Sequence, residues 1–252
     1  MYKGFSMAGK NALITGGTRG IGLAIAKGFL ESGANVTIAS RKQENIDTAV
    51  TELGNPEKVL GVAAHVGRDE DRERMISAAE DRFGTINVLV NNAGTNPFYG
   101  SIADAEEWAW DKTMDVNLKA PFMLSVGLGK KMMASGGGAI INIASVAGLH
   151  ASTNQGIYSV TKCALIMLTK VLARDMGHGG VRANAILPGL IKTDLSRALW
   201  ENEDTLAGVI KATSLGRIGD VDELIGAAVF LASDAGSYTS GAVIQVDGGM
   251  VI

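Results

Sequence analysis

The amino-acid sequence predicts an α/β fold: a single domain, residues 1–252, with helices on both faces of a doubly wound parallel sheet of about seven strands. Three observations lead to this prediction. Short apolar, β-branched runs alternate with longer segments of helical period almost to the end of the chain. Glycine-rich turns connect them. A length of 252 residues also suits one large core.

The strand candidates are runs in which apolar and β-branched residues dominate. They cover residues 12–15, 35–39, 59–63, 88–90, 139–143, 182–187 and 242–246. Apolar residues at helical spacing predict helices at 21–32, 46–53, 69–83, 105–134, 158–176 and 221–232. The segment 192–217 contains no strand pattern and is interpreted as an insertion or substrate lid, since such segments often contact substrate in α/β proteins.

The composition is that of an ordinary globular protein, with 46% hydrophobic and 19% charged residues. A net charge of −3 predicts neither nucleic acid nor an anionic membrane as a partner. One cysteine, Cys163, excludes an internal disulfide framework, and the N-terminus lacks the apolar run of a secretory signal. No apolar run is expected to span a bilayer. Together these features lead us to expect a cytoplasmic protein. The three histidines share no metal-ligand spacing, so no metal is expected.

A glycine-rich turn follows the first strand candidate. Residues 15–22 read Thr-Gly-Gly-Thr-Arg-Gly-Ile-Gly and lead at once into an apolar helix. The glycines at 16, 20 and 22 permit a tight turn, close approach of the backbone to a pyrophosphate and close packing of helix on strand. Because the motif lies between a strand and a helix, it predicts a dinucleotide site and hence a Rossmann fold.

The end of the second strand predicts which dinucleotide binds. An NAD-selecting protein places an acidic residue here on the ribose 2′-hydroxyl, whereas this chain has Ser40 and Arg41. A hydroxyl and a guanidinium suit a 2′-phosphate, and Arg19 of the glycine-rich turn can reach the same anion. We therefore expect NADP(H). The alternative is that Arg41 and Lys42 are solvated charges that open the next helix.

Tyr158 and Lys162 lie four residues apart in a strongly helical segment, which puts them on one helix face. A lysine beside a tyrosine favours the phenolate, so a group with an ordinary pKa of about 10 can act as acid or base near neutral pH. The pair therefore predicts proton-transfer chemistry. By itself it also fits a solvated helix face.

The chain resembles the short-chain dehydrogenases/reductases over essentially its full length. The matching residues are Thr15-Gly16-x-x-x-Gly20-x-Gly22, Asn91-Asn92-Ala93-Gly94, Asn117, Ser145, Tyr158-x-x-x-Lys162 and Pro188-Gly189. Within this family, residues 40–43 and 96–100 are similar to the NADP-dependent carbonyl and retinal reductases of the peroxisomal type.

The resemblance implies four catalytic residues. Tyr158 would exchange a proton with the carbonyl or alcohol oxygen while hydride passes to or from the nicotinamide, and Ser145 would hydrogen-bond that oxygen. Lys162 would lower the pKa of Tyr158 and bind the nicotinamide ribose. Asn117 would anchor a water that links Lys162 to solvent.

The resemblance also implies the coenzyme contacts. Together with the residues argued above they are Gly16, Thr18, Arg19, Gly20, Ile21, Gly22, Ser40, Arg41, Val66, Asn91, Ala93, Gly94, Tyr158, Lys162, Pro188, Gly189, Ile191 and Thr193. One position departs from the pattern, because many relatives have Asp-Val where this chain has His65-Val66. The hydrogen bond that such an aspartate would accept from the adenine amino group is therefore not expected, although Val66 can still contact the coenzyme.

Substrate contacts are expected from the chain around Ser145 and Tyr158 and from the 192–217 segment. The candidates are Ser145, His150, Tyr158, Leu195, Leu199 and Trp200. Trp200, with Leu195 and Leu199, forms an apolar wall in one interpretation. In the other interpretation, these residues only pack the 192–217 segment against the rest of the protein.

Three functions are consistent with the sequence. The first is an NADP(H)-dependent reductase or dehydrogenase for apolar or aromatic ketones, aldehydes or secondary alcohols. The second is a 3-oxoacyl thioester (ACP or CoA) reductase, which would need clustered basic residues, whereas Lys192, Arg197, Lys211 and Arg217 are spread out. The third is a catalytically silent scaffold. The family resemblance implies a homotetramer, with interfaces on the 158–176 helix and on the 221–232 helix with the last strand.

Overall fold

The computed structural model describes residues 3–252, whose strands form one sheet. The strands are β1 Asn11–Thr15, β2 Asn35–Ser40, β3 Val59–Ala63, β4 Val88–Asn91, β5 Gly138–Ile143, β6 Val181–Pro188 and β7 Val243–Val246. Every neighbouring pair is parallel, in the order β3-β2-β1-β4-β5-β6-β7. The predicted doubly wound parallel sheet is confirmed.

Nine α-helices lie among the described residues. They are α1 Gly20–Glu31, α2 Gln43–Leu53, α3 Asp69–Phe83, α4 Glu107–Met114, α5 Ala120–Ala134, α6 Gly156–Met176, α7 Arg197–Trp200, α8 Glu203–Ala212 and α9 Ile225–Ala232. Helices α1, α2 and α9 bury apolar side chains against one face of the sheet. Helices α3, α5 and α6 cover the other face. The central strands are therefore buried on both faces, which explains their nearly continuous apolar sequence.

The strand order reverses between β1 and β4. Chain connections from β1 run toward β2 and β3 on one side, whereas those from β4 run toward β5, β6 and β7 on the other. Ligands of open α/β sheets bind in the crevice beyond the carboxyl ends of the strands at such a point. The glycine-rich turn follows β1 directly and therefore lies at this crevice.

The single helix predicted for 105–134 is wrong, because the structure has three pieces there. Helix α4 ends at Met114, a π-helical turn spans Asp115–Lys119, and α5 then begins. Pro121 lies in the first turn of α5 and has no N–H to donate to the carbonyl of Asn117, so a regular α-helical turn cannot close there. Wide turns of this kind are frequent at functional sites, and this one carries Asn117.

Helix α6 and the turn after it also correct the sequence prediction. In the described part of the chain, the helical segment Gly156–Gly179 is long and apolar enough to cross a membrane, judged by length and composition only. The sequence had led us to expect no such segment. Its apolar side chains, including Leu165 and Leu172, pack into the clusters around β5 and β6. The core helix of a globular protein passes the same test.

Candidate active site

Two cavities lie at the carboxyl edge of the sheet. The glycine-loop cavity, about 200 Å³, lies at the ends of β1, β2 and β3 and includes Gly16, Ser40 and His65 in its wall. The tyrosine cavity, about 630 Å³, lies beyond β5 and β6 and includes Ser145 and Tyr158. Five residues line both cavities: Ile21, Asn92, Gly94, Thr193 and Leu195. The two cavities are therefore neighbouring ends of one trough.

The glycine-rich turn packs so closely that Gly16 and Gly22 have no room for a side chain. Gly16 has a φ of +64°, and a Cβ there would lie 3.0 Å from the Cα of Ala93. A Cβ on Gly22 would lie 2.3 Å from the carbonyl oxygen of Gly16. Gly20, with a φ of +54°, begins α1. The turn thus brings backbone and a helix N-terminus to the cavity, as an anion site requires.

The end of β4 is tied to this turn by side chains. The Thr15 hydroxyl oxygen accepts from the N–H groups of Asn92 and Ala93, each at 3.1 Å. The Asn92 Nδ2 donates to the carbonyls of Thr15 and Gly16, each at 3.0 Å. Asn92 lines both cavities, although the expected coenzyme contacts did not include it. The doubled asparagine at the end of β4 was the available signal.

The structure places Asn91 in the core and not at the trough. Its Nδ2 donates to the Ser125 hydroxyl at 3.0 Å and to Asn142 Oδ1 at 2.8 Å, and the residue is 2% exposed. Successive strand residues point to opposite faces, so Asn91 faces α5 whereas Asn92 reaches the turn. The expected coenzyme contact of Asn91 is therefore corrected to a structural role between strands.

The remaining coenzyme candidates divide between the cavities. Thr18, Arg19, Ser40, Arg41, Val66 and Ala93 line the glycine-loop cavity. Pro188, Gly189 and Ile191 line the tyrosine cavity. Arg19 Nη1 forms an ion pair with Asp194 Oδ2 at 3.1 Å, which joins the glycine-rich turn to the 192–217 segment. Gly22 lines neither cavity and acts through the close packing of α1 on the turn.

Ser145, Tyr158 and Lys162 come together at the wall of the tyrosine cavity. Ser145 caps a 3₁₀ turn after β5, and its hydroxyl accepts from the Ala147 N–H at 3.1 Å. That hydroxyl also hydrogen-bonds the phenol of Tyr158, in the first turn of α6. The Lys162 ammonium lies 5.4 Å from the centre of the Tyr158 ring and donates to the Ile143 carbonyl at 2.8 Å.

Gly148 makes this arrangement possible. A Cβ on Gly148 would lie 2.8 Å from the carbonyl carbon of Lys162 and 2.9 Å from the amide nitrogen of Cys163. The 3₁₀ turn therefore rests directly on the backbone of α6, which carries Tyr158. Any side chain at 148 would push the Ser145 loop away from the phenol.

Burial dominates the proton affinities of the two titratable groups. It raises the pKa of Tyr158 to about 12, although the hydrogen bond from Ser145 opposes the shift. It lowers the pKa of Lys162 to about 8. Burial therefore sets the net direction of the shift at Tyr158, and the expectation that Lys162 lowers the pKa of Tyr158 stays a prediction. At neutral pH Tyr158 carries its proton, which suits a proton donor.

Asn117 lies behind this group and is fully buried. Its Oδ1 accepts from the Thr95 N–H at 2.8 Å, and its Nδ2 donates to the Thr95 carbonyl at 2.9 Å. A Cβ on Gly94 would lie 3.7 Å from this Oδ1 and 3.8 Å from Lys162 Nζ. Asn117 and Lys162 therefore flank Gly94, and the asparagine fixes the chain just after β4.

The substrate candidates are only partly brought together. His150, Leu195 and Leu199 line the tyrosine cavity with Ser145 and Tyr158. Trp200 is not among the lining residues: its Nε1 donates to the Thr193 carbonyl at 3.0 Å, and the Lys192 ammonium lies 5.5 Å from its ring centre. The structure thus favours packing for Trp200. Lining residues that the candidates missed include Tyr99, Gln155, Val209 and Met250.

The trough suits a nicotinamide dinucleotide. Glycines without Cβ atoms and a helix N-terminus can hold its pyrophosphate, and Ser40 and Arg41 offer a hydroxyl and a guanidinium at one end. Tyr158 and Lys162 offer a proton donor and a cation at the other end. Among the described residues, no group of three or more His, Cys, Asp and Glu side chains could hold a metal ion.

Comparisons with known proteins identify the class. The sequence family described as enoyl-(acyl carrier protein) reductase matches residues 16–251. The chain is 41% identical to "Dehydrogenase/reductase SDR family member 4" of Homo sapiens over 244 residues, which cover 96% of this chain and 88% of the relative. The protein of that name from Caenorhabditis elegans is 40% identical over 247 residues, with 96% and 95% covered.

Solved structures give the same result. A gluconate 5-dehydrogenase from Burkholderia cenocepacia J2315, in complex with NADP and tartrate, has a TM-score of 0.93 at 37% identity and covers 98% of this chain and 97% of its own. A short-chain type dehydrogenase/reductase from Mycobacterium ulcerans has a TM-score of 0.93 at 32% identity, with 97% and 90% covered. This chain belongs to the short-chain dehydrogenase/reductase family. It is an oxidoreductase that links a carbonyl or alcohol to a nicotinamide coenzyme.

Proposed function

We propose that the protein is an NADP(H)-dependent reductase or dehydrogenase for apolar or aromatic ketones, aldehydes or secondary alcohols. One observation carries the proposal. The glycine-loop cavity and the tyrosine cavity share five lining residues, so a molecule held at the glycine-rich turn extends to Tyr158. Ser40 and Arg41 then lie at one end of that molecule and the proton donor at the other.

The proposed mechanism assigns each polar side chain one task. When bound, the nicotinamide supplies the hydride in reduction and accepts it in oxidation. Tyr158 gives its proton to the carbonyl oxygen in reduction, and Ser145 donates a hydrogen bond to that oxygen as negative charge develops on it. Lys162 supplies positive charge beside the phenol, and Asn117 holds the loop after β4 against it.

NADP(H) is proposed over NAD(H) because of the charges at the adenosine end. Ser40, Arg41 and Arg19 line the glycine-loop cavity, and a 2′-phosphate would find two guanidinium groups there. To bind the 2′-phosphate, the Arg19 guanidinium would either leave Asp194 or contact Asp194 and the phosphate at the same time. The solved relative from Burkholderia cenocepacia is in complex with NADP, which supports the same choice.

The walls of the tyrosine cavity support a neutral substrate with an apolar part. Leu195, Leu199 and Val209 of the 192–217 segment, which we propose as a lid, supply apolar surface. Among the described residues that line the tyrosine cavity, Lys162 is the only lysine or arginine. Its ammonium already donates a hydrogen bond to the Ile143 carbonyl. A carboxylate substrate such as gluconate, which the name of one solved relative implies for that relative, would lack a free cation here.

A thioester reductase is the second candidate, which the description of the matching family favours. A phosphopantetheine carrier would need free basic residues at the mouth of the cavity. Arg197 pairs with Asp194 at 2.5 Å, and Arg217 pairs with Glu223 at 2.6 Å. Two of the four basic residues of the 192–217 segment are thus neutralised, so the smaller carbonyl substrates are preferred. A silent scaffold is not proposed, because Ser145, Tyr158 and Lys162 are assembled.

The test is a coenzyme and substrate panel. Oxidation of NADPH and of NADH is followed with aryl ketones, diketones, retinal and acetoacetyl thioesters, and the reverse reaction with secondary alcohols. We expect NADPH to outperform NADH, and turnover of free ketones or aldehydes. Preference for NADH would overturn the coenzyme assignment, and turnover confined to thioesters would establish the second candidate.

We also propose a homotetramer in the cytoplasm. Large apolar side chains are exposed on α4, α5 and α6: Trp108, Trp110, Phe122, Met123, Val160, Met167 and Val171. Exposed apolar surface of this extent marks an interface, and β7 offers a free strand edge. Light scattering during gel filtration should give four times the chain mass of 26.2 kDa. The proposed cytoplasmic location is supported by Cys163, a single unpaired cysteine, which is compatible with a reducing compartment.

A further inference from the structure

Met250 differs in origin from the other walls of the tyrosine cavity, because it comes from the chain after β7. Ser145 lies in the loop after β5, and Tyr158 lies in α6. Leu199 and Val209 come from the 192–217 segment. Among the described residues beyond β7, only Met250 lines this cavity. The proposed mechanism gives its side chain no task.

The Met250 side chain belongs to the apolar packing around Ser145. It is partly buried and packs against a cluster of buried apolar residues: Ala144, Val146, Leu165, Ile166, Ala185 and Leu187. Ala144 and Val146 are the chain neighbours of Ser145, and both line the tyrosine cavity. Met250 therefore extends the apolar patch that flanks Ser145.

Asp247 fixes the backbone that carries Met250. Its Oδ1 accepts from the Gly249 N–H and its Oδ2 from the Val251 N–H, each at 3.0 Å. The Gln245 Nε2 donates to the Val251 carbonyl at 2.7 Å. The residues on both sides of Met250 are thus held by side-chain hydrogen bonds, so its side chain starts from a fixed point at the wall.

The same turn binds the end of the 192–217 segment. The Leu215 N–H donates to the Gly248 carbonyl at 3.0 Å, and the Ser214 hydroxyl donates to the Gly249 carbonyl at 2.8 Å. A Cβ on Gly249 would lie 2.8 Å from Ser214 Oγ, so the two pieces of chain approach closely. These contacts fix the spacing between Met250 and the apolar walls that the 192–217 segment supplies.

We propose that Met250 is a specificity-determining residue, whose side chain limits the size of the apolar group that the substrate carries beside its carbonyl. Asp247 is the positioning residue for this side chain. The inference rests on the proposed carbonyl or alcohol substrate. A methionine side chain is unbranched and adapts its shape to what it contacts. The site therefore accepts aryl and branched alkyl groups of varied shape up to a size limit.

The experiment measures kcat/KM for a series of methyl ketones whose second substituent grows from ethyl to phenyl to naphthyl, with whichever nicotinamide coenzyme gives the higher rate. Met250→Ala enlarges the cavity and should raise the naphthyl-to-ethyl ratio about tenfold. Met250→Trp should lower that ratio at least about tenfold, because a misfit of one methylene in an apolar pocket changes discrimination about 10- to 200-fold. Met250→Leu conserves volume and should keep the ratio within about threefold of wild type.

Val251→Ala is the matched control. Val251 packs against the same apolar cluster but does not line the tyrosine cavity, so its loss should leave the ratio at the wild-type value. Asp247→Asn weakens the turn and should move the ratio in the same direction as Met250→Ala. In the double variant it should add nothing, because the side chain that Asp247 positions is already gone. Thermal unfolding and coenzyme titration show that each variant folds.

Equal changes for all ketones in Met250→Ala and Met250→Trp would overturn the inference, and so would an equal change of ratio in Val251→Ala. The two Met250 variants test opposite directions, so either one decides if the other does not fold. The proposed function fails separately, if wild type reduces acyl thioesters and no free ketone. The ratio is then measured over acyl chains of increasing length, and a ratio that does not respond to Met250 overturns the inference as well.

Discussion

The two ends of the trough are built in different ways. The glycine-loop cavity, about 200 Å³, is bounded by the glycine-rich turn, where a Cβ on Gly16 would lie 3.0 Å from Ala93, and by side chains that include Ser40 and Arg41. The tyrosine cavity, about 630 Å³, is bounded by side chains from loops, from α6 and from the 192–217 segment. The glycine-loop cavity is proposed to hold the same coenzyme whatever the substrate is. Few residue types are therefore possible at each position of its wall. At the second end only the Ser145, Tyr158 and Lys162 group is fixed by the reaction, and the remaining walls set the substrate.

The largest expected effect is at the reacting group of the tyrosine cavity. Tyr158→Phe removes the proton donor and should lower the rate of carbonyl reduction by about 10² to 10⁴, with coenzyme affinity nearly unchanged. Steady-state kinetics and fluorescence titration with NADPH measure the two quantities. Tyr238→Phe is the matched control, because Tyr238 is fully exposed and lines neither cavity. Wild-type turnover by Tyr158→Phe would remove the tyrosine from the mechanism.

The next effect belongs to the glycine-loop cavity. Arg41→Ala should weaken NADPH binding about 10- to 100-fold, as expected for loss of charge-assisted hydrogen bonds, and NADH binding only a few-fold. Lys42→Ala changes the neighbouring exposed charge, which pairs with Glu44, and should have little effect. Titrations of both variants with both coenzymes measure the difference. Equal losses for NADPH and NADH would show that Arg41 does not discriminate between them.

The pH dependence separates the two titratable groups. Tyr158, with a pKa of about 12, keeps its proton throughout the working range, whereas Lys162 loses its charge as the pH rises through about 8. Reduction should therefore slow above about pH 8, by up to about tenfold per unit. In Lys162→Arg the guanidinium stays charged, so the remaining activity should not fall there. A wild-type rate that stays level well above pH 8 would contradict this assignment.

The smallest effect is expected at the wall of the tyrosine cavity. Leu199→Ala should lower kcat/KM about 3- to 10-fold for bulky apolar ketones and much less for small ones, because it removes apolar contact surface. Trp200→Ala, which alters packing within the 192–217 segment, should affect all substrates alike. Kinetics with a size series of ketones measure both. The opposite pattern would put Trp200 in the substrate site.

Most residues predicted for the coenzyme end line the glycine-loop cavity, because their sequence signals are local. A glycine-rich turn between a strand and a helix has few structural solutions, and Ser40 and Arg41 follow a strand whose end was clear. Asn91 and Gly22 are the exceptions, because neither lines a cavity. Which of two adjacent asparagines faces the trough depends on the last residue of β4, and strand ends are the least certain part of a sequence prediction.

The tyrosine end was predicted less well because its properties come from three-dimensional packing. The pKa of Tyr158 depends on how much protein surrounds the phenol, which helical spacing alone does not show. The π-helical turn that carries Asn117 interrupts a pattern that reads as one helix. Trp200 and Leu199 are neighbours in a short helix, yet only Leu199 lines the cavity.

A crystal structure with NADP⁺ bound tests the central claim most directly, namely that the two cavities are one coenzyme trough ending at Tyr158. We expect the 2′-phosphate beside Ser40 and Arg41, the pyrophosphate at the glycine-rich turn and the nicotinamide facing the Tyr158 hydroxyl. An adenosine end outside the glycine-loop cavity, or a nicotinamide out of reach of Tyr158, would contradict the claim.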